Sequence, residues 1–364
     1  MTSQKMPGVY FYESVATQTA NVGEYSPLFI VQTSTEIAGL DGQYTYYTGL
    51  DAFETLVEDK GLTKTVACME QVLREKGSTS FYVFSIKTDT AVGFTNAIID
   101  SGHLLDVDDY VYIEESVSAQ ANTITGKTTA IKNGLDTLAE SGIFRKAYII
   151  PYATVNKAVT DAENTAPEET AITSLTSIFS TVSSGRIVAV LPDANAGFSV
   201  GKALNTPYDE DPGFGQILSN LETSEYKFTR NQQKTLMNLG ILFLAEEIVQ
   251  GTSQYRINLG VTTSFKDNKA DGLIVCRTIV DEILRQIAFE AQGYVKGKEV
   301  EGSVSSLQTR VDTIIDTFVT DECIVRDGTS LTVADEGNGV FTIKGEIRPV
   351  KTIISIDVYT TIEA

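Results

Sequence analysis

Short, unbroken apolar runs recur along the first half of the chain, and they limit its possible folds more than any other feature. Leu28-Phe29-Ile30-Val31 and Ala147-Tyr148-Ile149-Ile150 are such runs, and Phe81-Tyr82-Val83-Phe84-Ser85-Ile86, residues 110–114 and residues 186–191 are apolar apart from Ser85, Glu114 and Arg186. The Leu28–Val31 run is of the kind a strand buried on both faces shows, and the others read as further strands. Helical periods lie between them. Phe53, Leu56 and Val57 mark one helix, with Thr48 and Asp51 spaced as a capping box. Val66, Met69 and Leu73 mark a second that stops at Gly77. Ile131, Leu135 and Leu138 predict a helix over 127–141, and Ile172, Leu175, Phe179 and Val182 another. Strands separated by helices of this size imply crossover connections and a largely parallel or mixed sheet covered on both faces.

The pattern changes further along. Residues 161–170 and 204–215 read as loops, and 231–249 as a helical segment leading into Gly240-Ile241-Leu242-Phe243-Leu244, with a strand over 255–262. One long helix then carries Ile279, Ile283, Leu284 and Ile287, and a second carries Val304, Leu307, Val311, Ile314, Ile315 and Phe318. A turn at Arg326-Asp327-Gly328-Thr329 opens an all-strand finish, in which Phe341 and Ile343 share a face. The expected fold is therefore α/β. A mixed sheet covered by helices is followed by a smaller α+β C-terminal domain, with extended strand arms at both ends. The expected division is an arm over 1–23, a body over 24–265, a C-terminal domain over 266–349 and an arm over 350–364.

Composition excludes several function classes. The formal net charge of −20 argues against nucleic acid or an anionic membrane surface as partner, since both need clustered Lys and Arg. No apolar run is long enough to span a bilayer, and no signal peptide is expected behind Lys5. Cys68, Cys276 and Cys323 stand far apart in apolar settings, as buried reduced thiols do. His103 is the single histidine, so any triad or Cys–His pair must use it. Its setting reads as structural or surface. No zinc, EF-hand or P-loop spacing occurs, and Gly213-Phe214-Gly215 follows no buried strand. Asp106-Val107-Asp108-Asp109 and Asp209-Glu210-Asp211 read as solvated acidic turns. No catalytic, cofactor or metal site is expected.

The two ends stand out. Val9-Tyr10-Phe11-Tyr12 reads as an isolated strand, and Ile354, Ile356 and Val358 alternate with Ser355, Asp357 and Tyr359. Residues 1–23 carry Lys5 against Glu13, and 340–364 carry Lys344, Arg348 and Lys351 against Glu346, Asp357 and Glu363, so each end sums to zero. Unpaired strands invite addition to another chain's sheet, and head-to-tail contacts of that kind build helical filaments. The other reading folds both ends back onto their own domain.

Several segments resemble contractile tail sheath proteins of phages and phage-derived injection particles. Pro7-Gly8-Val9-Tyr10-Phe11-Tyr12-Glu13 with the later apolar strand is similar to the family's start. Tyr47-Thr48-Gly49-Leu50-Asp51-Ala52-Phe53 and the elements through Ile86 follow its order. Asn238-Leu239-Gly240-Ile241, the stretch Tyr255-Arg256-Ile257-Asn258-Leu259-Gly260, and Arg277-Thr278-Ile279-Val280-Asp281-Glu282-Ile283 are similar to later pieces, without the family's tryptophan and Gly-x-Arg-Thr. The resemblance implies a helical homo-oligomer around an inner tail tube protein, bounded by baseplate and tail terminator proteins. It implies no nucleic acid and no direct membrane contact. It places the C-terminal domain against the tube, where Lys296 and Lys298 are candidate contacts, and gives the arms a role in joining subunits. Assembly would occur in the host cytoplasm, and the mature location would be the tail of a virion or particle. The rival readings are an α/β enzyme or small-ligand binder using the crevice at the sheet's carboxyl ends, and a tube or surface-layer subunit.

Overall fold

The computed structural model describes residues 25–87, 91–104, 106–116, 123–163, 166–214, 221–249, 252–267, 269, 271–294, 302–336 and 340–350. In chain order the first elements are β1 (Ser26–Gln32), β2 (Tyr44–Thr48), α1 (Asp51–Val57), α2 (Thr63–Lys76), β3 (Ser80–Ile86), α3 (Ala91–Asp100) and β4 (Val107–Glu114). Then come α4 (Ile124–Glu140), β5 (Ala147–Ile150), α5 (Tyr152–Asp161), α6 (Pro167–Phe179), β6 (Ile187–Val190), α7 (Ala196–Leu204), α8 (Arg230–Asn238) and β7 (Ile241–Leu242). The last are β8 (Leu244–Val249), β9 (Thr252–Ile257), α9 (Ile274–Gln292), α10 (Ser303–Thr320), β10 (Ser330–Asp335) and β11 (Phe341–Glu346).

Seven strands form one sheet in the order β2-β3-β1-β4-β5-β6-β7, parallel except that β2 runs antiparallel to β3. Its two faces are separate apolar layers. Leu28, Ile30, Tyr110, Tyr112, Ile149 and Ala189 meet α3, α4 and α6 on one side. Phe29, Val31, Val111, Ile113, Tyr148 and Val190 meet α1, α2 and α7 on the other. Leu28 through Val31 are wholly buried, each worth about 1.5–3 kcal/mol in apolar burial. Burial on both faces explains why these strands carry no polar alternation.

The expected strands over 28–31, 81–86, 110–114, 147–150 and 186–191 are present as β1, β3, β4, β5 and β6, and the one expected over 255–262 lies earlier, as β9. Helix α2 ends at Gly77 with φ of 72°, in the left-handed region that favours glycine. All three cysteines are buried. Four elements were not anticipated: β2, α3, α5 and α7. Thr48 caps nothing, because it closes β2 opposite Ser80; α1 begins after Leu50 with no side-chain cap. The helix expected over 231–249 stops at Asn238. Gly240 turns the chain there, and β7 and β8 follow. The stretch 161–170 is not wholly loop, since α6 starts at Pro167 with Glu168 and Glu169 in its first turn, where the helix dipole favours them.

The acidic turns are also corrected. Asp109 lies inside β4, buried, paired with Lys146 Nζ at 3.0 Å and accepting from the Lys146 amide at 2.6 Å. Asp211 is buried and accepts from the amides of Gly213 (2.7 Å) and Gly260 (3.2 Å), while Asp209 and Glu210 face solvent. A third apolar cluster joins α9 and α10 through Ile279, Ile283, Leu307, Val311 and Phe318, with Val333 of β10 packed into it.

Candidate assembly surfaces

A crevice at the carboxyl ends of the strands is where an α/β enzyme would bind its ligand. Here side chains at the strand ends are tied by hydrogen bonds to the flanking helices. Gln32, ending β1, accepts at Oε1 from Tyr112 OH (2.5 Å) and Lys127 Nζ (2.7 Å), and Lys127 is 1 % exposed. Glu114, ending β4, accepts from the Thr154 amide and hydroxyl at 3.0 Å each, at the first turn of α5. Glu115 accepts from the Thr65 amide and hydroxyl at 2.6 Å each. His103 lies elsewhere, exposed, with its ring edge-on to Tyr44 and its Nδ1 on the Asp100 carbonyl. Among the described residues no cluster of His, Cys, Asp and Glu is placed to hold a metal, and no helix is long and apolar enough to cross a membrane.

Beyond β6 the same end of the sheet is closed by a strap, residues 221–229. Asn195 clamps it with both ends of its amide: Nδ2 donates to Glu222 O and Oδ1 accepts from Glu222 N, each at 2.9 Å. Ser224 Oγ donates to Asp193 Oδ2 at 3.3 Å, and the Asn195 amide donates to Oδ1 at 2.9 Å. Burial pushes the Asp193 carboxyl up from 3.8 to about 6, against the pull of these two donors. The folded state therefore holds a proton that the unfolded state has lost. This contribution is complete below pH 3.8 and disappears as pH rises through about 6. Asp193→Asn is expected to raise stability at pH 7.5 by up to about 3 kcal/mol and to change it little near pH 4. Chemical denaturation at both pH values measures this, and equal effects at both would contradict it.

The sheet's two edges differ. β7 is two residues long, and the following segment flanks it, with the Asn258 amide donating to Phe243 O at 3.1 Å. β2 is a five-residue edge of Tyr and Thr with no charge and with Tyr46 exposed.

The antiparallel hairpin β10–β11 offers another edge. It is a separate two-stranded sheet resting on α10, with Val333 opposite Ile343 and Leu331 opposite Gly345. Alternate residues of an antiparallel pair turn their N–H and C=O outward. On β10 these are Leu331 and Val333, and Gln308 of α10 meets both: Nε2 donates to Leu331 O (2.9 Å) and Oε1 accepts from Val333 N (2.8 Å). On β11 the outward groups belong to Phe341, Ile343 and Gly345, and no backbone partner for them occurs among the described residues. Past β11 the chain folds back along 323–325, with Val325 N donating to Arg348 O (2.8 Å) and Val350 N to Cys323 O (2.9 Å). The last described residue, Val350, thus lies at the foot of the hairpin. The strand β10 was legible only as part of an all-strand finish; Leu331 and Val333 are its signal.

The arm residues Val9, Tyr10, Phe11, Tyr12, Ile354, Ile356 and Val358, and the candidate tube contacts Lys296 and Lys298, lie outside the described residues. No protein-family model matches the chain, and no curated protein does. Solved structures do. A chain of the anti-feeding prophage helical sheath in its contracted state superposes with a TM-score of 0.63 at 14% identity, covering 98% of this chain and 99% of that one. A chain of the contracted PVC sheath complex, from an extracellular contractile injection system, gives 0.58 at 13% identity over 99% and 98%. A sheath tail protein from Desulfitobacterium hafniense gives 0.59 at 9% identity over 93% and 96%. The chain has the fold of contractile tail sheath proteins along nearly its whole length.

Proposed function

We propose that this chain is the structural subunit of a contractile tail sheath. In this reading it polymerises helically around an inner tube, between baseplate and tail terminator proteins, and contracts once to drive the tube through a target envelope. The observation that carries the reading is the end-to-end correspondence with sheath chains, 98% and 99% of the two chains in one case. The hydrogen bonds that engage Gln32, Glu114 and Glu115 with the protein's own helices at the carboxyl ends favour it over the enzyme reading. Energy would come from repacking many subunit interfaces, not from a bound cofactor.

The chain would divide into an arm over 1–23, the sheet body over 24–265, a C-terminal domain over 266–349 set against the tube, and an arm over 350–364. Val9 to Tyr12 and Ile354 to Val358 would add as strands to the hairpin sheets of neighbouring subunits. The open edge of β11 is the acceptor we favour, since Gln308 already meets β10. Lys296 and Lys298 are the proposed tube contacts. Assembly would take place in the host cytoplasm, before the particle is released.

A net charge of −20 sets like-charged copies against one another, so polymerisation should rise with screening. Negative-stain microscopy of purified protein, at raised concentration and salt, is expected to show hollow helical cylinders. Particles that stay monomeric at every salt and protein concentration would overturn the assignment.

A further inference from the structure

Sheath subunits can transmit force only if their parts move together, and one buried cluster bears on how this chain achieves that. Asp281 on α9 has a side chain 1% exposed, and both of its oxygens take hydrogen bonds from Arg186, the residue before β6. Arg186 Nη1 donates at 3.0 Å to Oδ2 and Nη2 at 2.9 Å to Oδ1. Arg277, one turn earlier on α9, donates to Oδ1 from Nε at 3.0 Å and also from Nη2. One turn later Arg285 donates from Nη2 to Phe144 O at 2.6 Å and pairs with Glu282 at 3.2 Å. Arg186 also donates to Arg145 O at 3.4 Å and lies over the Phe144 ring, 5.4 Å from its centre.

These groups gather at the amino ends of β5 and β6, and α9 meets the sheet there through charge. Its apolar side chains Ile279, Ile283 and Ile287 pack with α10, whereas Ile274 at its first turn packs in the sheet's layer. Apolar contacts tolerate sliding, because they have no preferred direction. A carboxylate held by a two-pronged guanidinium allows one register and one orientation. Burial alone would raise the Asp281 pKa, but the hydrogen bond and charge of Arg277 and the charge of Arg186 hold it below 3.8. Burial acts on Arg186 in the opposite sense, lowering its pKa, while a guanidinium paired with a carboxylate stays a cation.

We propose that Asp281, gripped by Arg186 from the sheet and Arg277 from its own helix, is an ionic lock that makes the sheet body and the α9–α10 unit one rigid element. Its consequence for contraction rests on the sheath reading: motion would then be confined to the arms and the contacts between subunits. The lock itself is a property of the single chain.

The test uses full-length monomeric protein carrying spin labels at Glu54→Cys on α1 and Thr313→Cys on α10. Both positions are exposed, and the three native cysteines are buried and so shielded from labelling. Pulsed dipolar spectroscopy should give one narrow distance distribution in the otherwise unchanged chain. Asp281→Asn should at least double its width or add a second distance, and should split a single calorimetric transition into two. Arg186→Lys, which keeps the charge but loses the two-pronged grip, should give intermediate broadening and carries the test if Asp281→Asn fails to fold. A lower melting temperature with an unchanged distribution and a single transition, in whichever variant folds, would overturn the lock and reduce the cluster to ordinary stabilisation. Failure of the chain to form cylinders would remove the sheath reading without touching this result.

Discussion

Removal of residues 1–23 is expected to leave a folded monomer that no longer forms cylinders. The fold should survive because the sheet begins at Ser26, whose amide already donates to Asp106 O at 2.9 Å, and the apolar layers on its two faces start with Leu28 and Phe29. The polymer should be lost because a two-stranded sheet is marginal alone, and the open β11 edge is what a neighbour's strand would complete. Each net backbone hydrogen bond contributes about 1 kcal/mol. A strand the length of Val9-Tyr10-Phe11-Tyr12 therefore contributes about 3–4 kcal/mol before its side chains are counted. That is roughly a hundredfold or more in critical concentration, since about 1.4 kcal/mol is tenfold. Sedimentation and negative-stain microscopy of the truncated chain, with circular dichroism as the folding check, measure both halves of the expectation. Cylinders forming at the wild-type threshold would refute the arm mechanism while leaving the sheath assignment standing.

The same physics explains which parts of the fold could be read from the residues. Strands such as Leu28-Phe29-Ile30-Val31 were legible because burial on both faces removes every polar position, and few other environments do so. Helices α2, α9 and α10 were legible because each has one buried stripe and one wet face. β2 was missed because its Tyr and Thr residues lie at an edge, half exposed, where no clean alternation develops. The acidic groups were misread for a different reason. Asp109 is buried because Lys146, 37 positions away, arrives beside it, and nothing local announces a partner at that distance. The Asp281 lock is of the same kind, as is the Gln308 clasp on β10. The order of elements led to the correct architecture, while the polar contacts that fix its joints became visible only with the fold.

Helix α7 was missed for the most specific reason, which carries the second large expectation. All nine of its residues are buried, so it has no wet face to set a period, and Gly197 and Gly201 inside it read as breakers. Those glycines are what allow it to lie close against α2. A Cβ at Gly197 would come within 2.4 Å of Cys68 O, and one at Gly201 within 2.7 Å of Val72 O, both backbone atoms of α2. The close approach is bridged by Gln71 Nε2 donating to Ala194 O at 2.7 Å, Asn205 Nδ2 donating to Glu75 O at 3.1 Å, and the Arg74 guanidinium 4.4 Å from the Phe198 ring centre. Two effects compete on substitution. Helix propensity alone would make Gly→Ala stabilising by up to about 1 kcal/mol. Forcing two backbones apart in a packed core typically costs about 1–3 kcal/mol and sometimes more. At these distances the clash should win. Gly197→Ala and Gly201→Ala should each destabilise by about 1–3 kcal/mol, and the Val variants by more. The control is Gly126→Ala on α4, where the nearest atom to a new Cβ is Thr123 Oγ1 at 3.8 Å, an ordinary contact. It should be neutral or slightly stabilising. Denaturant titrations of the three Ala variants decide the matter: if Gly197→Ala and Gly201→Ala match the control, α7 does not depend on glycine to reach α2.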